Sequence, residues 1–415
     1  MSRLEPRDET YFTTVRGLCR VCRRIVPARV FFRDGAVWQQ ALCPTCTNAP
    51  AQIASDHTWY LRNVLRPMPD HAPLPGSRPP RLGCPNDCGP CTWHASPCRA
   101  AAVPVTDACD LDCPICFEPG RSDEAHYLGV HEMKQAVDWL ARTAGSAGPV
   151  DTINLTGGEP TLHPQILDLL ACCRGRPEVG HVTMDSNGLR LAGDRDLCGR
   201  LAELGVCVVL SLDTFIPAAS VLLHGQDVVA AQLRALDNLA AAGAAVVLRM
   251  VLVRDVNEYA IEGLMDLLAA RDNIRGLTVQ TMAYAGRSGG QFPRGRHIPA
   301  DEAARIVAEH SGGRIEAGDF TADAGAHPLC GLVCRLVKSP EGLLPLARRA
   351  AGAAAPAGSS VRTLRIHAPM DACTFDCSRG MMCPNQVLLP PGRLVPACTY
   401  NLLHRQQGDR PHEAS

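Results

Sequence analysis

The distribution of cysteine constrains this chain more than any other feature of its sequence. Of the 415 residues, 21 are cysteine, and 17 of these fall into four groups. The groups are Cys19, Cys22, Cys43 and Cys46; Cys84, Cys88, Cys91 and Cys98; Cys109, Cys113 and Cys116; and Cys330, Cys334, Cys373, Cys377, Cys383 and Cys398. Clustered thiols in a large chain without signs of secretion favour metal sites over disulfides. We therefore predict a fold built around several metal or iron–sulfur sites.

The charge and hydropathy of the chain argue against several other classes of protein. Its 41 basic and 42 acidic residues give a net charge of −1, which offers no electrostatic basis for a dedicated nucleic-acid or membrane binder. The best candidate for a membrane span, 239–253, is interrupted by Gly243 and Arg249. The N-terminus, MSRLEPRDET, lacks the apolar core of a signal peptide. We expect a cytoplasmic protein with no integral membrane segment and no nucleic-acid partner.

Short β-like runs alternate with helical runs between residues 100 and 290. The predicted strands are 102–105, 152–155, 181–184, 206–210, 246–251 and 277–280, and the predicted helices are 131–143, 164–173, 194–204, 228–242 and 258–270. Strands and helices that alternate in this way predict a parallel sheet covered by helices. The pattern fits both an open doubly wound sheet and a partial TIM-type barrel. In either fold, functional residues lie at the carboxyl ends of the strands.

The strongest motif follows the first of these strands. Cys109, Cys113 and Cys116 have the spacing CxxxCxxC, and Phe117 comes directly after them. Three thiolates on one tight loop can hold three irons of a [4Fe–4S] cluster. The fourth iron is then free to bind a small chelating molecule, as a catalytic zinc keeps an open position. A zinc knuckle or a plain ferredoxin loop is the alternative interpretation of the motif taken alone.

A CxxxCxxC motif with a following aromatic residue, placed after the first strand of a six-fold β/α pattern, resembles the radical S-adenosylmethionine (SAM) superfamily. The resemblance implies an α/β fold with a partial (β/α)6 TIM-type barrel as its radical SAM core. It also implies that SAM chelates the open iron, and that an electron from the cluster cleaves SAM to methionine and a 5′-deoxyadenosyl radical.

Further motifs at the ends of the predicted strands are similar to SAM-binding elements of this superfamily. Gly157, Gly158, Glu159 and Pro160 resemble the GGEP motif at the methionyl ammonium, Ser186 and Asn187 resemble the TNG element, and Ser211 and Asp213 resemble the S-x-D element at the ribose. Arg249 is polar within an apolar strand, and it either pairs with the SAM carboxylate or is an arginine satisfied in the core. Arg287, which follows the sixth predicted strand, is a further candidate for pairing with the SAM carboxylate.

The other cysteine groups suggest a narrower resemblance. Cys84, Cys88, Cys91 and Cys98 lie as in the 7,8-dihydro-6-hydroxymethylpterin dimethyltransferase and tetraether lipid synthase subgroup, which implies an auxiliary [4Fe–4S] cluster on these four thiols. Zinc on the same thiolates is the alternative. The stretch 370–401 also resembles that subgroup, and it implies a further auxiliary cluster on Cys330, Cys383 and Cys398. Cys334, Cys373 and Cys377 are extra to the pattern, so the fourth ligand and the number of sites stay open.

The first cysteine group consists of two CxxC pairs. Cys19, Cys22, Cys43 and Cys46 predict tetrahedral sulfur coordination of zinc or of a single iron in a ribbon or rubredoxin-like fold. Residues 1–66 hold ten arginines and five acidic residues, so a ribbon that touches nucleic acid is an alternative to a structural or electron-relay role. The predicted organisation is a ribbon (1–66), a Pro-rich linker (67–82), an auxiliary-cluster segment (83–99), the radical SAM core (100–290) and a Cys-rich C-terminal extension (291–415).

The resemblance implies an enzyme that functionalises an unactivated C–H bond. We expect C-methylation or another C–C bond formation on a small-molecule substrate, either a pterin-like compound or a natural-product scaffold. An electron donor such as flavodoxin or ferredoxin is the expected partner. The alternatives are the coupling of lipid chains, as in tetraether synthesis, and a non-catalytic iron–sulfur or zinc scaffold.

Overall fold

The structure is a computed structural model that describes residues 8–66, 73–117, 125–144, 150–323, 326–339, 342–348 and 360–405. Its N-terminal part is a four-stranded antiparallel sheet followed by one helix. These elements are β1 (Thr10–Leu18), β2 (Ile25–Arg33), β3 (Ala36–Ala41), β4 (Ala51–Ala54) and α1 (His57–Val64), with the strands paired in sequence order. The four cysteines of the first group lie in the two turns at one end of this sheet. The predicted linker at 67–82 lies partly outside the described residues.

Six parallel strands form the centre of the molecule. They are β5 (Ala100–Thr106), β6 (Val150–Gly157), β7 (Val179–Ser186), β8 (Cys207–Ser211), β9 (Val246–Leu252) and β10 (Ile274–Thr281). Each strand pairs with the one that precedes and follows it along the chain. A doubly wound sheet reverses its strand order at the centre, whereas a barrel does not. The sequential order therefore confirms the partial (β/α)6 barrel and excludes the doubly wound alternative.

The helices follow the strands closely. They are α2 (Val130–Ala144), α3 (Ile166–Cys173), α4 (Leu189–Gly193), α5 (Arg195–Glu203), α6 (Pro217–His224), α7 (Val229–Ala241), α8 (Ala260–Ala270), α9 (Ser288–Gln291), α10 (Ala300–Glu309), α11 (Cys377–Met381) and α12 (Ala397–Thr399). Single turns of 3₁₀ helix lie at Pro160–Leu162, Arg294–Arg296, Ala317–Asp319 and Leu346–Arg348, and a π-helical turn lies at Tyr400–His404. The five predicted helices and six predicted strands are confirmed, while α4 and α6 were not predicted.

Alternating burial along the strands separates the core from the inner face of the barrel. In β9, Val246, Leu248 and Met250 are fully buried in the main apolar cluster, together with residues of the surrounding helices. The intervening residues, Val247 and Arg249, are only half-buried. Because side chains of a strand alternate between its two faces, the half-buried set lies on the opposite face, inside the barrel. Polar residues such as Arg249 are therefore placed on the inner face.

The C-terminal extension adds strands to both edges of the barrel sheet. Its strands are β11 (Thr321–Ala322), β12 (Gly331–Ser339), β13 (Gly342–Pro345), β14 (Val361–His367), β15 (Asn385–Leu389) and β16 (Arg393–Pro396). β14 pairs in parallel with β10, and β15 pairs in parallel with β5. The chain thus crosses from one end of the six-stranded sheet to the other between β14 and β15, a segment that contains three of the cysteines.

The N-terminal sheet is held against the rest of the molecule by buried polar contacts. The carboxylate of Asp301, at the start of α10, accepts hydrogen bonds from the backbone N–H of Ser55 and Asp56 (2.8 and 2.9 Å) and from the Ser55 hydroxyl (2.6 Å). The Gln39 side chain, on β3, donates to the carbonyl oxygen of Phe375 at 2.8 Å. Among the residues that the structure describes, none of the helices has the length and apolarity needed to cross a membrane.

Replacement of Asp301 by alanine should loosen this docking. The substitution leaves two backbone donors at the contact without their acceptor, which costs about 1–3 kcal/mol. We expect a fall of that order in the free energy of unfolding, together with faster hydrogen exchange in residues 51–64. Glu309→Ala, which removes an exposed carboxylate from the same helix, is the control and should change neither quantity. Equal effects of the two substitutions would contradict the assigned contact.

Candidate functional site

The loop that carries Cys109, Cys113 and Cys116 leaves the carboxyl end of β5 and is fixed at both ends. The hydroxyl of Thr106 accepts from the N–H of Ala108 at 3.0 Å and donates to the carbonyl oxygen of His126 at 2.8 Å. At the other end, the carbonyl oxygen of Cys116 accepts from the backbone N–H of Ser288 at 3.1 Å. The three cysteines are half-buried, so the loop presents them at the rim of the barrel.

The three thiols are close enough to affect one another electrostatically. Burial raises the pKa of the Cys113 thiol, and the Cys116 and Cys109 thiols raise it further. The guanidinium of Arg287, which is 14% exposed, forms an ion pair with Asp112 inside the loop. Burial lowers the pKa of Arg287, while the nearby Cys109 thiol opposes that shift. Three converging thiols beside a buried cation fit the net negative charge of a thiolate-ligated iron–sulfur cluster.

His224 lies between one of these thiols and a buried carboxylate. Its Nδ1 atom is 3.5 Å from the Cys113 sulfur, and its Nε2 atom is 3.2 Å from Oδ2 of Asp213. The other oxygen of Asp213 accepts from the backbone N–H of Val251 at 2.5 Å, and the residue is 2% exposed. Both oxygens of Asp213 are thus engaged within the protein. The contact of Asp213 with the SAM ribose stays a prediction, and in the structure Asp213 lies next to His224, behind the cysteine loop.

Gly157 and Gly158 allow the loop after β6 to lie directly on the cysteine loop. The N–H of Gly158 donates to the Thr106 carbonyl oxygen at 2.8 Å, and the next N–H donates to the Ala108 carbonyl oxygen at 2.7 Å. A Cβ at either glycine would overlap one of those two carbonyl oxygens, and Gly157 also has a φ of +134°. Glycine is the residue that tolerates both conditions. These glycines therefore shape the cysteine loop itself.

The carboxylate of Glu159 connects two loops of the rim. It is 1% exposed and accepts from the Thr161 N–H and hydroxyl, the Ser186 hydroxyl and the Asn187 N–H, at 2.6–3.1 Å. Burial raises the pKa of Glu159 to about 7, and these donors oppose that shift. Pro160, directly after it, begins the 3₁₀ turn that supplies the Thr161 donors. The predicted site residues Glu159, Ser186 and Asn187 are thus brought together.

Asn187 also contacts the cysteine loop. Its side-chain amide donates to Oδ1 of Asp110 at 2.6 Å, and Asp110 lies between the first two cysteines of the motif. The loops after β5, β6 and β7 therefore form one hydrogen-bonded rim. Asp110 and His224 were not predicted, since the former is only a spacer in CxxxCxxC and the latter ends a helix that the sequence pattern does not reveal.

Arg249 lies on the inner face of the barrel. Its guanidinium is 2.9 Å from Oδ2 of Asp185, on β7, and that oxygen also accepts from the Thr156 hydroxyl at 3.0 Å. The second oxygen, Oδ1, is buried without a hydrogen-bond partner in the described part of the chain. Ser211 pairs with Arg249 in the sheet register and is half-buried at the end of β8. This face thus offers both a cation and an unsatisfied acceptor to a zwitterionic ligand.

The first cysteine group forms a compact four-thiol site. The sulfurs of Cys19, Cys22, Cys43 and Cys46 all lie within 4.8 Å of one another. Hydrogen bonds from Thr45 lower the pKa of the Cys43 thiol to about 6, which favours the thiolate that a metal requires. The arrangement fits a single tetrahedral ion. It confirms the predicted four-cysteine group.

The other two predicted thiol sites are brought together only in part. Cys84, Cys88 and Cys91 line one small cavity, whereas Cys98 lies in the main apolar core. Cys330, Cys383 and Cys398 lie near one another. Burial raises the pKa of Cys383, and the neighbouring Cys398 and Cys330 thiols raise it further. Of the extra thiols, Cys334 is buried in the core, Cys373 accepts from the Arg294 guanidinium at 2.7 Å, and Cys377 contacts Cys84.

A cavity of about 490 Å³ lies between the N-terminal sheet, the loop after β10 and the C-terminal extension. Its lining includes Arg20, Trp38, Tyr284, His297 and Glu302. Arg20 Nε, Trp38 Nε1 and His297 Nδ1 are buried without a hydrogen-bond partner among the residues that the structure describes. Tyr284 also belongs to the apolar cluster that contains Ile115 of the cysteine loop. The cavity therefore adjoins the rim and contains unsatisfied polar groups.

Comparison with known proteins identifies the barrel. The model of the radical SAM superfamily matches residues 103–268, which include the cysteine loop and the rim. These residues form a radical SAM domain. This part of the chain therefore belongs to the radical SAM superfamily, which implies a [4Fe–4S] cluster and SAM as the cofactors of the domain. The three thiols with their buried cation, and the acceptor left open on the inner face, fit both groups.

Several curated relatives share this domain. A 7,8-dihydro-6-hydroxymethylpterin dimethyltransferase of Methanocaldococcus jannaschii is 26% identical over 324 residues, which cover 77% of this chain and 63% of the relative. A GTP 3′,8-cyclase of Chlorobaculum tepidum is 32% identical over 182 residues, covering 43% of this chain and 52% of the relative. The chain thus spans about half to two thirds of the length of these proteins. Streptococcus suis SuiB bound to the precursor peptide SuiA is 19% identical, with a TM-score of 0.42 over 52% of this chain and 46% of SuiB.

Replacement of Gly158 by alanine should disrupt the cysteine loop. The added Cβ would overlap the Ala108 carbonyl oxygen, so one of the two loops must move. We expect anaerobically reconstituted Gly158→Ala protein to contain about four irons fewer per chain than the wild type, which is one cluster. Gly199→Ala is the control, because a Cβ there meets open space on helix α5. Unchanged iron content in Gly158→Ala would show that the glycine contact does not fix the loop.

Proposed function

We propose that this enzyme methylates carbon, or forms another C–C bond, on a polar heteroaromatic substrate of the pterin type. The proposal is supported by the similarity to the pterin dimethyltransferase over 77% of this chain. It is also supported by the cavity beside the rim, whose lining includes aromatic, polar and charged side chains. A pterin ring offers both hydrogen-bond donors and acceptors together with a flat face for stacking.

Each residue of the rim has a role in this proposal. When bound, the cluster supplies the electron that cleaves SAM to methionine and a 5′-deoxyadenosyl radical. Cys109, Cys113 and Cys116 hold the cluster, and Gly157 and Gly158 keep their loop in place. Glu159 and Pro160 line the ammonium end of SAM, with Ser186 and Asn187 beside them. Ser211 and Asp213 would bind the ribose, with Asp213 also beside His224, and Arg249, now paired with Asp185, would bind the SAM carboxylate.

The remaining thiols complete the proposed set of cofactors. We assign one or two auxiliary [4Fe–4S] clusters to the middle and C-terminal groups, and zinc or a single iron to the N-terminal four-thiol site. Thiolates alone do not choose firmly between zinc and iron. A flavodoxin or ferredoxin is the proposed electron donor.

Coupling of lipid chains is the alternative reaction, and the lining of the cavity disfavours it. An acyl chain needs an apolar channel, because a hydrocarbon placed against charged side chains displaces their water without replacing its hydrogen bonds. The walls here carry Arg20, Arg254, Arg294, Glu302 and Asp371. A polar ring can satisfy such groups by hydrogen bonding, and a hydrocarbon cannot.

The proposal predicts two separable activities. Reduced wild-type protein should convert SAM to 5′-deoxyadenosine, and Cys113→Ala should abolish this because one cluster ligand is lost. Cys172→Ala, on helix α3 away from the rim, is the control and should remain active. With 7,8-dihydro-6-hydroxymethylpterin and a one-carbon donor (a methyl or methylene carrier) present, mass spectrometry should detect a methylated pterin. If 5′-deoxyadenosine forms but no pterin is modified, the pterin assignment is wrong while the radical chemistry stands.

Trp38 should contribute to substrate binding. It lines the cavity, and in the proposed complex the pterin stacks on its indole ring. Stacking of a base on an aromatic side chain contributes about 1–3 kcal/mol, so Trp38→Ala should raise the pterin dissociation constant about ten- to hundredfold. Isothermal titration with the pterin and with SAM measures the effect, and SAM affinity should not change. Trp139→Ala, on helix α2, is the matched control, and equal pterin affinity in all three proteins would contradict the assignment.

A further inference from the structure

Cys377 lies in direct contact with a cysteine that is 293 positions earlier in the chain. The Cys377 sulfur is 3.8 Å from the carbonyl oxygen of Cys84, and the two thiols are close enough to shift the pKa of each other. Both residues belong to the same small apolar cluster, which also contains Phe375. The contact is formed by the crossing segment between β14 and β15, which places the first residue of α11 over the middle cysteine group.

The other two thiols of the CxxxCxxC run also lie beside helix α11. Cys84, Cys88 and Cys91 line a small cavity whose opposite wall includes Gly380 and Met381 of α11. Burial raises the pKa of the Cys88 thiol to about 12, and the Cys84 and Cys91 thiols contribute to the shift. The backbone of α11 is held there, since the Met381 carbonyl oxygen accepts from the N–H of Ala95 at 2.8 Å.

Cys98 has different surroundings. It is 2% exposed and belongs to the main apolar cluster of the barrel, with Ala101 and Leu140. Burial raises the pKa of Cys98 to about 12, without a contribution from another thiol in the described part of the chain. A cysteine packed in this way behaves as a small apolar residue. The position is two residues before β5, where the chain has already entered the barrel.

We propose that Cys377, and not Cys98, is the fourth ligand of the auxiliary site formed with Cys84, Cys88 and Cys91. This inference rests on the proposed auxiliary cluster. It takes the fourth ligand from helix α11 and not from the segment that carries the other three. Three thiols on one short run and a fourth from a distant helix can surround a four-iron cluster, whereas Cys98 is packed in the apolar core of the barrel and does not line the cavity. The site then joins residues 84–91 to the C-terminal extension.

The charges around these thiols fit such a site. The Arg16 guanidinium, on β1, donates to the Cys84 carbonyl oxygen at 2.9 Å. Arg393, on β16, donates to the Cys88 carbonyl oxygen at 2.7 Å. Two cations from two different parts of the chain therefore flank the thiols. A thiolate-ligated cluster carries net negative charge, and nearby cations stabilise it.

The neighbouring thiol group is separate from this one. The Arg379 guanidinium, also on α11, donates to the Cys330 sulfur at 3.0 Å. The Cys330 thiol raises the pKa of Cys398, which burial already shifts upward to about 11. Helix α11 therefore directs Cys377 to one thiol group and Arg379 to the other. Of the three extra cysteines, Cys377 is thus assigned to the middle group. Cys330, Cys383 and Cys398 remain as a group of their own.

Iron analysis of single variants tests the assignment. The background is Cys109→Ala/Cys113→Ala/Cys116→Ala protein, so that the SAM-binding cluster contributes no signal. After anaerobic reconstitution, Cys377→Ala and Cys84→Ala should each lose about four irons or show the electron paramagnetic resonance signal of a three-iron cluster. Cys98→Ala should keep both its iron and the background spectrum. Cys173→Ala is the matched control for a cysteine in the same apolar core.

The possible outcomes differ clearly. Loss of the cluster in Cys98→Ala with retention in Cys377→Ala would overturn the assignment, as would a Cys84–Cys377 disulfide in protein that holds its full iron. Background protein without any [4Fe–4S] absorption would instead refute the proposed auxiliary clusters themselves. Metal retained at the N-terminal four-thiol site reports folding of each variant. If Cys377→Ala does not fold, Cys377→Ser keeps the size of the side chain, and an unchanged spectrum in that variant would also count against the assignment.

Discussion

The contact of one backbone with another at the rim of the barrel is the interaction on which the rest of the site depends. Gly157 and Gly158 place the loop after β6 directly against the carbonyl groups of Thr106 and Ala108, where no Cβ can fit. Because two amide N–H groups donate across this contact, the barrel itself fixes the start of the cysteine loop. Glu159, the next residue, extends the constraint to the end of β7. The segment from Gly157 to Glu159 therefore shapes the cysteine loop through contacts within the protein alone.

Features that depend on local pattern could be predicted from the sequence, and features that depend on distant contacts could not. The alternating runs of β9 (Val246–Leu252) and its neighbours predicted a parallel sheet covered by helices, because side-chain period is a local property. The choice of a barrel over a doubly wound sheet came from the family resemblance of the motifs. Helix α6 was missed because Val221 and Leu222 are half exposed, so its apolar residues do not mark one buried face. The spacing of the middle cysteines suggested Cys98 as a ligand. Spacing carries no information about Cys377, which reaches the same thiols only through the path of the C-terminal extension.

That path also explains why the cysteines are spread over the whole chain. β14 pairs with one edge of the six-stranded sheet and β15 pairs with the other, so the segment between them must cross the barrel. The crossing passes the rim, where it meets the middle cysteine group and the N-terminal sheet. Gln39 is bound to the crossing segment at Phe375, and Arg16 is bound at Cys84. Thiol sites thus form where three separate parts of the chain meet.

A metal bound at the proposed auxiliary site would stabilise this junction in addition to any role in electron transfer. Binding of a metal to thiols from separate segments contributes free energy to folding, because the unfolded chain has no such site. Closing a loop of nearly 300 residues between Cys91 and Cys377 is costly in entropy, and the cluster would offset that cost. Trp38, adjacent to Gln39, and Asp371, near Phe375, both line the cavity beside the rim. The same two segments, the N-terminal sheet and the crossing segment, thus contribute to both sites. Metal binding at the proposed auxiliary site would therefore also constrain the walls of the proposed substrate cavity.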